Sequence, residues 1–309
     1  MSADPLVIAL DIGGTKLAGG VLTTEPRLLH RLERPTRAAE GVDVSLGEVY
    51  RLLEELCEAA RGRGTLMGAG VCAPGPLDPS TGVVFNPTNM PGWVNVPLAE
   101  EIQRRADVPC RVENDANGAG LGEALYGAGR GHTSVFYATL STGIGAGLIL
   151  DGRIYHGQHG AAAEGGHVSI DYQSQVICNC GSPGCIEALA SGTALARRAR
   201  QALGRPTTPE DLARAAASGD VLATRLIDET GEMLGAWLGS VISLFDPSII
   251  VLGGGVSRIG EPLFAKIRQT APKRTVNPFA AEIPIVPAQL GRDVGIFGAA
   301  AVILTAPQS

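Results

Sequence analysis

The sequence predicts an α/β protein built as two lobes. Three observations lead there. Short apolar strands alternate with longer segments whose apolar residues recur at helical spacing. A strand, a glycine turn and a second strand occur twice, once in each half of the chain. The length, 309 residues, suits two domains of about 150 residues each.

The elements follow in order. Residues 7–10 read as a short buried strand that runs into Asp11-Ile12-Gly13-Gly14-Thr15-Lys16, and apolar residues resume over 17–22. Residues 44–60 carry Leu46, Val49, Tyr50, Leu53 and Leu56 at helical spacing. Residues 68–71 form a strand that ends at Ala73-Pro74-Gly75-Pro76. Residues 108–112 form another, ending at Glu113-Asn114-Asp115. A small-residue helix over 116–126 follows, capped by that polar cluster. The strand–turn–strand pattern returns over 135–140, Ser141-Thr142-Gly143-Ile144-Gly145 and 146–150, and Asp151-Gly152 turns the chain into Arg153-Ile154-Tyr155. From Ser191 the chain is mostly helical, over 193–203, 209–217 and 221–245. Residues 249–252 are an apolar strand meeting Gly253-Gly254-Gly255. A helix near Pro262, a last strand over 283–287 and an alanine-rich helix over 294–304 close the chain. The lobes are expected to be residues 1–116 together with a C-terminal helix at 294–309, and residues 117–293. The crossings fall near 114–117 and near Asp293.

Composition removes several function classes. Hydrophobic residues make up 45% and charged residues 18%, as in a well-cored soluble protein. The net charge is −6 and there is no basic run, which argues against nucleic acid and anionic membranes as partners. Aromatic residues, at 4%, are too sparse for a base-stacking surface. No apolar stretch is long enough to span a bilayer, and the N-terminus lacks the basic region of a signal peptide. Cys57, Cys72 and Cys110 sit in apolar contexts and read as core residues without disulfides.

The chemistry concentrates in a few motifs. His167 precedes Cys178, Cys180 and Cys185, and Glu187 follows at once. Three thiols and an imidazole are the donor set of a closed tetrahedral zinc site, which would hold Glu164, His167 and Glu187 together as a recognition site for a polyol. The alternative is incidental cysteines in a Gly/Pro loop. In the 11–16 segment the glycines would let backbone N–H groups close on phosphate oxygens. Thr15 adds a hydroxyl, Lys16 a charge, and Asp11 a carboxylate suited to hydrated magnesium. Thr142 and Gly143 offer the same chemistry from the other half, and Gly254 with Gly255 leaves room for an adenosine. Plain glycine turns are the alternative at each place. Asp115 could accept a hydroxyl proton as general base while Asn114 holds a neighbouring hydroxyl; helix capping is the other use of such a cluster. The loop Asn86-Pro87-Thr88-Asn89-Met90-Pro91-Gly92-Trp93 offers amides for sugar hydroxyls, or is a surface turn. His30, His132, His156 and His159 carry no pattern.

Taken together and in order, D-I-G-G-T-K, E-N-D-A-N, S-T-G-I-G-A-G, E-x-x-H, C-x-C-G-x2-G-C-x-E and L-F-D-P-S-I-I-V-L-G-G-G resemble the ROK family of sugar kinases and sugar-responsive repressors. The likeness runs from Val7 to about Ala301, and N-P-T-N-M-P-G-W and E-A-L-A-S-G-T-A are most similar to the bacterial ATP-dependent glucokinases of that family. The resemblance implies an actin-like, ribonuclease H-like fold of two lobes around a central ligand cleft. It implies Gly13, Gly14, Thr15, Lys16, Thr142 and Gly143 at the phosphates of ATP, Asp11 near Mg2+, and Gly254 and Gly255 by the adenosine. Asn89, Asn114, Asp115, Glu164, His167 and Glu187 would hold the hexose, with Asp115 as base, and His167, Cys178, Cys180 and Cys185 a structural Zn2+. It also implies a homodimer or homotetramer, while thiols given to a metal rather than to disulfides point to the reducing cytoplasm. An N-acetylmannosamine or N-acetylglucosamine kinase, and a repressor without its DNA-binding domain, are the alternatives. Two departures stand out: Gly165 replaces a commonly apolar residue and would loosen the segment carrying Glu164, and Asn179 replaces a glycine between the first two cysteines.

Overall fold

The computed structural model describes residues 4–306. The elements in chain order are β1 (Pro5–Ile12), β2 (Lys16–Thr23), β3 (Leu28–Pro35), α1 (Val42–Ala60), β4 (Thr65–Ala73), β5 (Leu77–Asp78), β6 (Val83–Val84), β7 (Val96–Pro97), α2 (Leu98–Ala106), β8 (Cys110–Asn114) and α3 (Asp115–Tyr126). There follow β9 (Ser134–Leu140), β10 (Ile144–Leu150), β11 (Arg153–Ile154), α4 (Ile186–Ala190), α5 (Gly192–Leu203), α6 (Pro209–Ala217), α7 (Val221–Phe245), β12 (Ile249–Gly253), α8 (Glu261–Thr270), β13 (Ile285–Pro287) and α9 (Val294–Leu304). Among the described residues no helix is long and apolar enough to cross a membrane.

Two compact units emerge. The first comprises the described residues up to Gly131, with Gly152–Gly160 and those from Gln289 onward. Its main sheet has the order β3-β2-β1-β4-β8, with β1 antiparallel to β2 and parallel to β4. Because side chains alternate along a strand, β1 feeds two cores. Leu6, Ile8 and Leu10 join Leu52, Leu53 and Leu56 of α1, whereas Val7 and Ala9 join Ile296, Ala299 and Ala300 of α9. Asp11 shares the parity of Val7 and Ala9, so it falls on the α9 side and lies against Gly295.

The second unit comprises His132–Asp151 and Ala161–Ala288. Within it the sheet runs β10-β9-β12-β13, with β9 and β10 antiparallel and β12 parallel to both β9 and β13. Phe136, Ala138 and Leu140 of β9 pack with Trp237, Leu238 and Ile242 of α7, Ile250 and Leu252 of β12, and Leu263 of α8.

These units divide the chain differently from the expected 1–116 and 117–293. Helix α3 goes with the first unit because it packs along α9, where Gly118 and Gly298 meet backbone to backbone and leave no room for a Cβ. The sequence reading also passed over β3, α2, α4 and the small sheet β5-β6-β7. Strand β3, L-L-H-R-L-E-R-P, is rich in charge and nowhere fully buried, so it lacks the apolar run that marks the other strands.

Candidate functional site

In the first unit the turn between β1 and β2 is a tight hairpin in which the Gly13 N–H donates to the Lys16 carbonyl at 2.9 Å. Thr36, fully buried, pins it from outside. The Thr36 N–H donates to the Thr15 carbonyl at 3.0 Å and the Thr36 hydroxyl to the Gly13 carbonyl at 2.5 Å. Lys16 is half exposed and turns toward Glu33, 3.5 Å away. A Cβ on Gly14 would stand 2.8 Å from the Asn89 carbonyl, so the absence of a side chain lets the Asn89 loop close on this turn. That loop lies at the surface but is anchored. Met90 and Trp93 are fully buried, and the Trp93 indole N–H donates to the Ser45 hydroxyl at 2.8 Å, which leaves Asn89 exposed on an anchored frame.

The end of β8 shows which residue of Glu113-Asn114-Asp115 does the capping. Asn114 is the N-cap of α3; its Oδ1 accepts the N–H groups of Ala116 and Asn117 at 3.0 and 3.2 Å. The capping bonds occupy the oxygen and turn the amide nitrogen outward, beside Gly75. Asp115 is the first helical residue and is exposed. Glu113 points the other way into the protein. It accepts the Asn114 N–H at 2.9 Å, the Asn117 side chain at 3.1 Å and His156 Nε2 at 2.7 Å. His156 thus has a defined partner that its loop sequence did not announce. Burial, and after it the charge of Asp115, pushes the Asp11 carboxyl up to about 6, with Lys16 acting in the opposite sense. Two mutually repelling carboxylates are a natural seat for a divalent cation.

In the second unit the turn between β9 and β10 is gripped by the segment that starts α4 and α5. Glu187 Oε2 accepts the Ile144 N–H at 2.9 Å, and a Cβ on Gly143 would overlap that oxygen. The Gly192 N–H donates to the Ser141 carbonyl at 2.7 Å, and the Thr193 hydroxyl to the Thr142 carbonyl at 2.8 Å. Gly254 has φ +85° and presses on the Leu140 backbone, so it is required by the chain itself; Gly255 faces open space.

His167, Cys178, Cys180 and Cys185 converge, with all four donor atoms within 4.8 Å of one another. Cys178 Sγ lies 3.5 Å from His167 Nδ1, and Cys180 Sγ 3.6 Å from Cys185 Sγ. Donors around a tetrahedral zinc, at about 2.3 Å for sulfur and 2.0 Å for nitrogen, stand roughly 3.5–3.8 Å apart, so the cluster fits that ion. The Ser182 backbone N–H draws the exposed Cys180 thiol down to about 6, while burial pushes Cys178 up and Cys185 up to about 12. Nδ1 is the His167 nitrogen turned into the cluster, leaving Nε2 for another partner. Glu187 Oε1 stands 3.9 Å from Cys178 Sγ.

At Gly165, expected to loosen the segment carrying Glu164, a Cβ would point at Trp237, 3.1 Å away, and one on Gly166 would run into the Ile144 carbonyl. The Trp237 ring is fully buried and packs edge-on against Phe136. Thr36, Gly192, Thr193 and His156 escaped the sequence reading. The T in E-A-L-A-S-G-T-A was in plain view, but nothing in one sequence shows that its hydroxyl reaches a turn 51 residues upstream.

Known proteins are similar to this chain over nearly its whole length. The glucokinase of Thermotoga maritima is 34% identical over 311 aligned residues, covering 96% of each chain. The N-acetylmannosamine kinase of Citrobacter koseri is 31% identical, over 95% of this chain and 97% of its own. The crystal structure of a ROK family glucokinase from Streptomyces griseus, in complex with glucose and AMPPNP, superposes with a TM-score of 0.77 at 34% identity, over 96% of this chain and 98% of that one. The fold is therefore the actin-like α/β fold of such kinases. With the ROK family model matching residues 7–306, the chain belongs to the ROK family.

Proposed function

We propose that this protein is an ATP-dependent hexose kinase that phosphorylates glucose at the 6-hydroxyl. The observation that carries the reading is the strand-to-helix turn at Asn114-Asp115, where capping fixes the amide and leaves the exposed Asp115 carboxylate on the first turn of α3. Asp115 acts as general base on the attacking hydroxyl. Asn89, Asn114, Glu164, His167 and Glu187 hold the other hydroxyls. Gly13, Gly14, Thr15, Lys16, Thr142 and Gly143 take the phosphates of ATP, with Gly254 and Gly255 at the adenosine.

Asp11 would hold hydrated Mg2+, which supplies charge neutralisation for the transferring phosphoryl group. His167 Nδ1, Cys178, Cys180 and Cys185 would hold Zn2+ as a structural ion. With the thiols ionised, Cys178 has no proton to offer Glu187 Oε1, and that oxygen is left for a sugar hydroxyl. A thiol-bound metal suits the reducing cytoplasm.

An acetamido group at carbon two needs extra volume beside Glu164 or His167, where Gly165 and Gly166 could leave it. Both positions face Trp237 and Ile144 instead. A site that pairs each hydroxyl rejects analogues that leave partners unpaired. Comparing kcat/KM across glucose, mannose, N-acetylglucosamine and N-acetylmannosamine tests the assignment. Glucose is expected to lead; a ratio near one against N-acetylmannosamine moves the protein to the amino-sugar kinases.

A further inference from the structure

The segment from Cys185 to Thr193 does more than follow the cysteine cluster. Cys185 is the N-cap residue of α4, so the helix opens at a member of the cluster. Two residues on, Glu187 accepts the Ile144 N–H. Ser191 caps α5, accepting the Ala194 N–H at 3.3 Å. The next two residues reach back to the same turn, Gly192 to the Ser141 carbonyl and Thr193 to the Thr142 carbonyl. With the Thr193 N–H also on the Thr142 carbonyl at 3.4 Å, four hydrogen bonds from nine consecutive residues fix three of the four backbone positions at 141–144. From the other side, the Gly166 backbone, next to His167, packs on the Ile144 carbonyl. Both arms of the cluster converge on this turn.

We infer that Thr193 and Gly192, together with Glu187, form a clamp that sets the turn at 141–144 for nucleotide and couples it to the metal held by His167, Cys178, Cys180 and Cys185. The inference rests on the assignment of that turn to the phosphates of ATP. Thr193 is a positioning residue: its hydroxyl is spent on the Thr142 carbonyl and orients the turn's own groups. Coupling between sites is reciprocal, so a metal that tightens nucleotide binding is itself held more tightly when nucleotide is bound, by the same factor.

Thr193→Val keeps the shape and removes the hydroxyl donor, leaving only the longer backbone N–H bond at 3.4 Å on that carbonyl; Thr193→Ser restores the hydroxyl. One hydrogen bond of this kind is worth about 0.5–1.5 kcal/mol, roughly a 2–10-fold change in affinity. Calorimetry with a non-hydrolysable ATP analogue on the zinc-loaded protein should show that loss in Thr193→Val and recovery in Thr193→Ser. KM for ATP should rise while KM for glucose holds. Zinc affinity, measured by chelator competition, should increase several-fold with the analogue in the wild type and less in Thr193→Val. Thr142→Val separates the two levels. If it leaves analogue affinity unchanged, the phosphate assignment of the turn is wrong. If it weakens binding while Thr193→Val does not, the turn binds nucleotide and the clamp is refuted. Zinc affinity indifferent to the analogue refutes the coupling.

Discussion

The turns at 13–16 and 141–144 look alike in sequence, each a glycine-containing turn between apolar strands, yet they are held in opposite ways. The first is closed from within by its own hairpin bond and braced by one buried threonine, Thr36. It touches the proposed sugar loop through backbone, Gly14 against Asn89. The second has an internal bond of its own, Ser141 N–H to the Gly143 carbonyl at 2.9 Å, but it is gripped mainly from outside by a helical segment rooted in the cysteine cluster. The first turn is self-sufficient and carries charge, with Lys16 and Asp11 at its ends. The second carries no charge of its own and borrows order from a neighbour. A glycine turn thus signals close approach, while what holds it is decided by residues remote in sequence.

The largest test of the first unit is Asp115→Asn. It preserves shape and the start of α3 but removes the base, and losing a general base costs about 10²–10⁴-fold in kcat. Sugar and nucleotide affinity should change little. A near-normal kcat would place the base elsewhere.

Asp11→Asn sharpens the charge contrast between the turns. Asp11 sits near 6, above its ordinary 3.8, so its stabilising contribution is complete below about pH 4 and lost as pH rises through 6. Asparagine cannot ionise. Without Mg2+, the variant should match the wild type near pH 4 and exceed it above pH 7 by up to about 3 kcal/mol, while losing Mg-dependent turnover. Urea unfolding across pH 4–8 measures the gap; a gap that does not vary with pH would mean that Asp11 bears no such burden.

Gly14→Ala and Gly143→Ala break the two turns in parallel. The added methyl at Gly14 meets backbone of Asn89, which can yield only by moving the loop, whereas at Gly143 it meets the end of the flexible Glu187 side chain. Gly14→Ala should therefore raise KM for glucose about tenfold, a cost near 1.4 kcal/mol. Gly143→Ala should cost less and show itself in the nucleotide. Equal effects on both substrates from both variants would erase the distinction.

Much of this was legible in the sequence because apolar periodicity and glycine turns are local signals. The bounds expected for α6, α7 and α9 agree with the structure at 209–217, 221–245 and 294–304: α7 is a long apolar-periodic run, α6 opens on a Thr-Pro cap, and α9 is an unbroken alanine-rich apolar run. The Cys/His convergence was legible because metal chemistry constrains residue type as well as spacing. The pairing of β3 was not, because its burial is partial and its charges pair with residues far along the chain, as Arg31 does with Asp293 at 2.6 Å. The site followed the same rule: that the 113–115 cluster caps the following helix could be written from the sequence, but that Asn114 does the capping could not. Thr36 and Thr193 are single hydroxyls bonded to carbonyls 23 and 51 residues away.

The smallest expected effect belongs to His156, and it tests how the turn at Asn114-Asp115 is supported from behind. Its Nε2 lies 2.7 Å from a buried Glu113 carboxylate that also accepts from Asn114 and Asn117, so the imidazole helps to hold the carboxylate on which the start of α3 leans. The bond to Glu113 raises the His156 pKa above 6.5, against a smaller opposing cost of burial. Its stabilising contribution is then complete below the ordinary histidine range and fades as pH rises through the raised value. Because the ring is partly exposed, the contribution is worth about 1 kcal/mol or less. His156→Gln keeps a donor for Glu113 and drops the titration. The wild type should be the more stable of the two near pH 5.5, with the advantage shrinking toward pH 8.5, while kcat changes less than twofold at neutral pH because Glu113 retains its two other donors. Chemical denaturation at the two pH values decides the point: a difference that is constant with pH would reduce His156 to packing, and one that grows with pH would mean that the charged pair does not form.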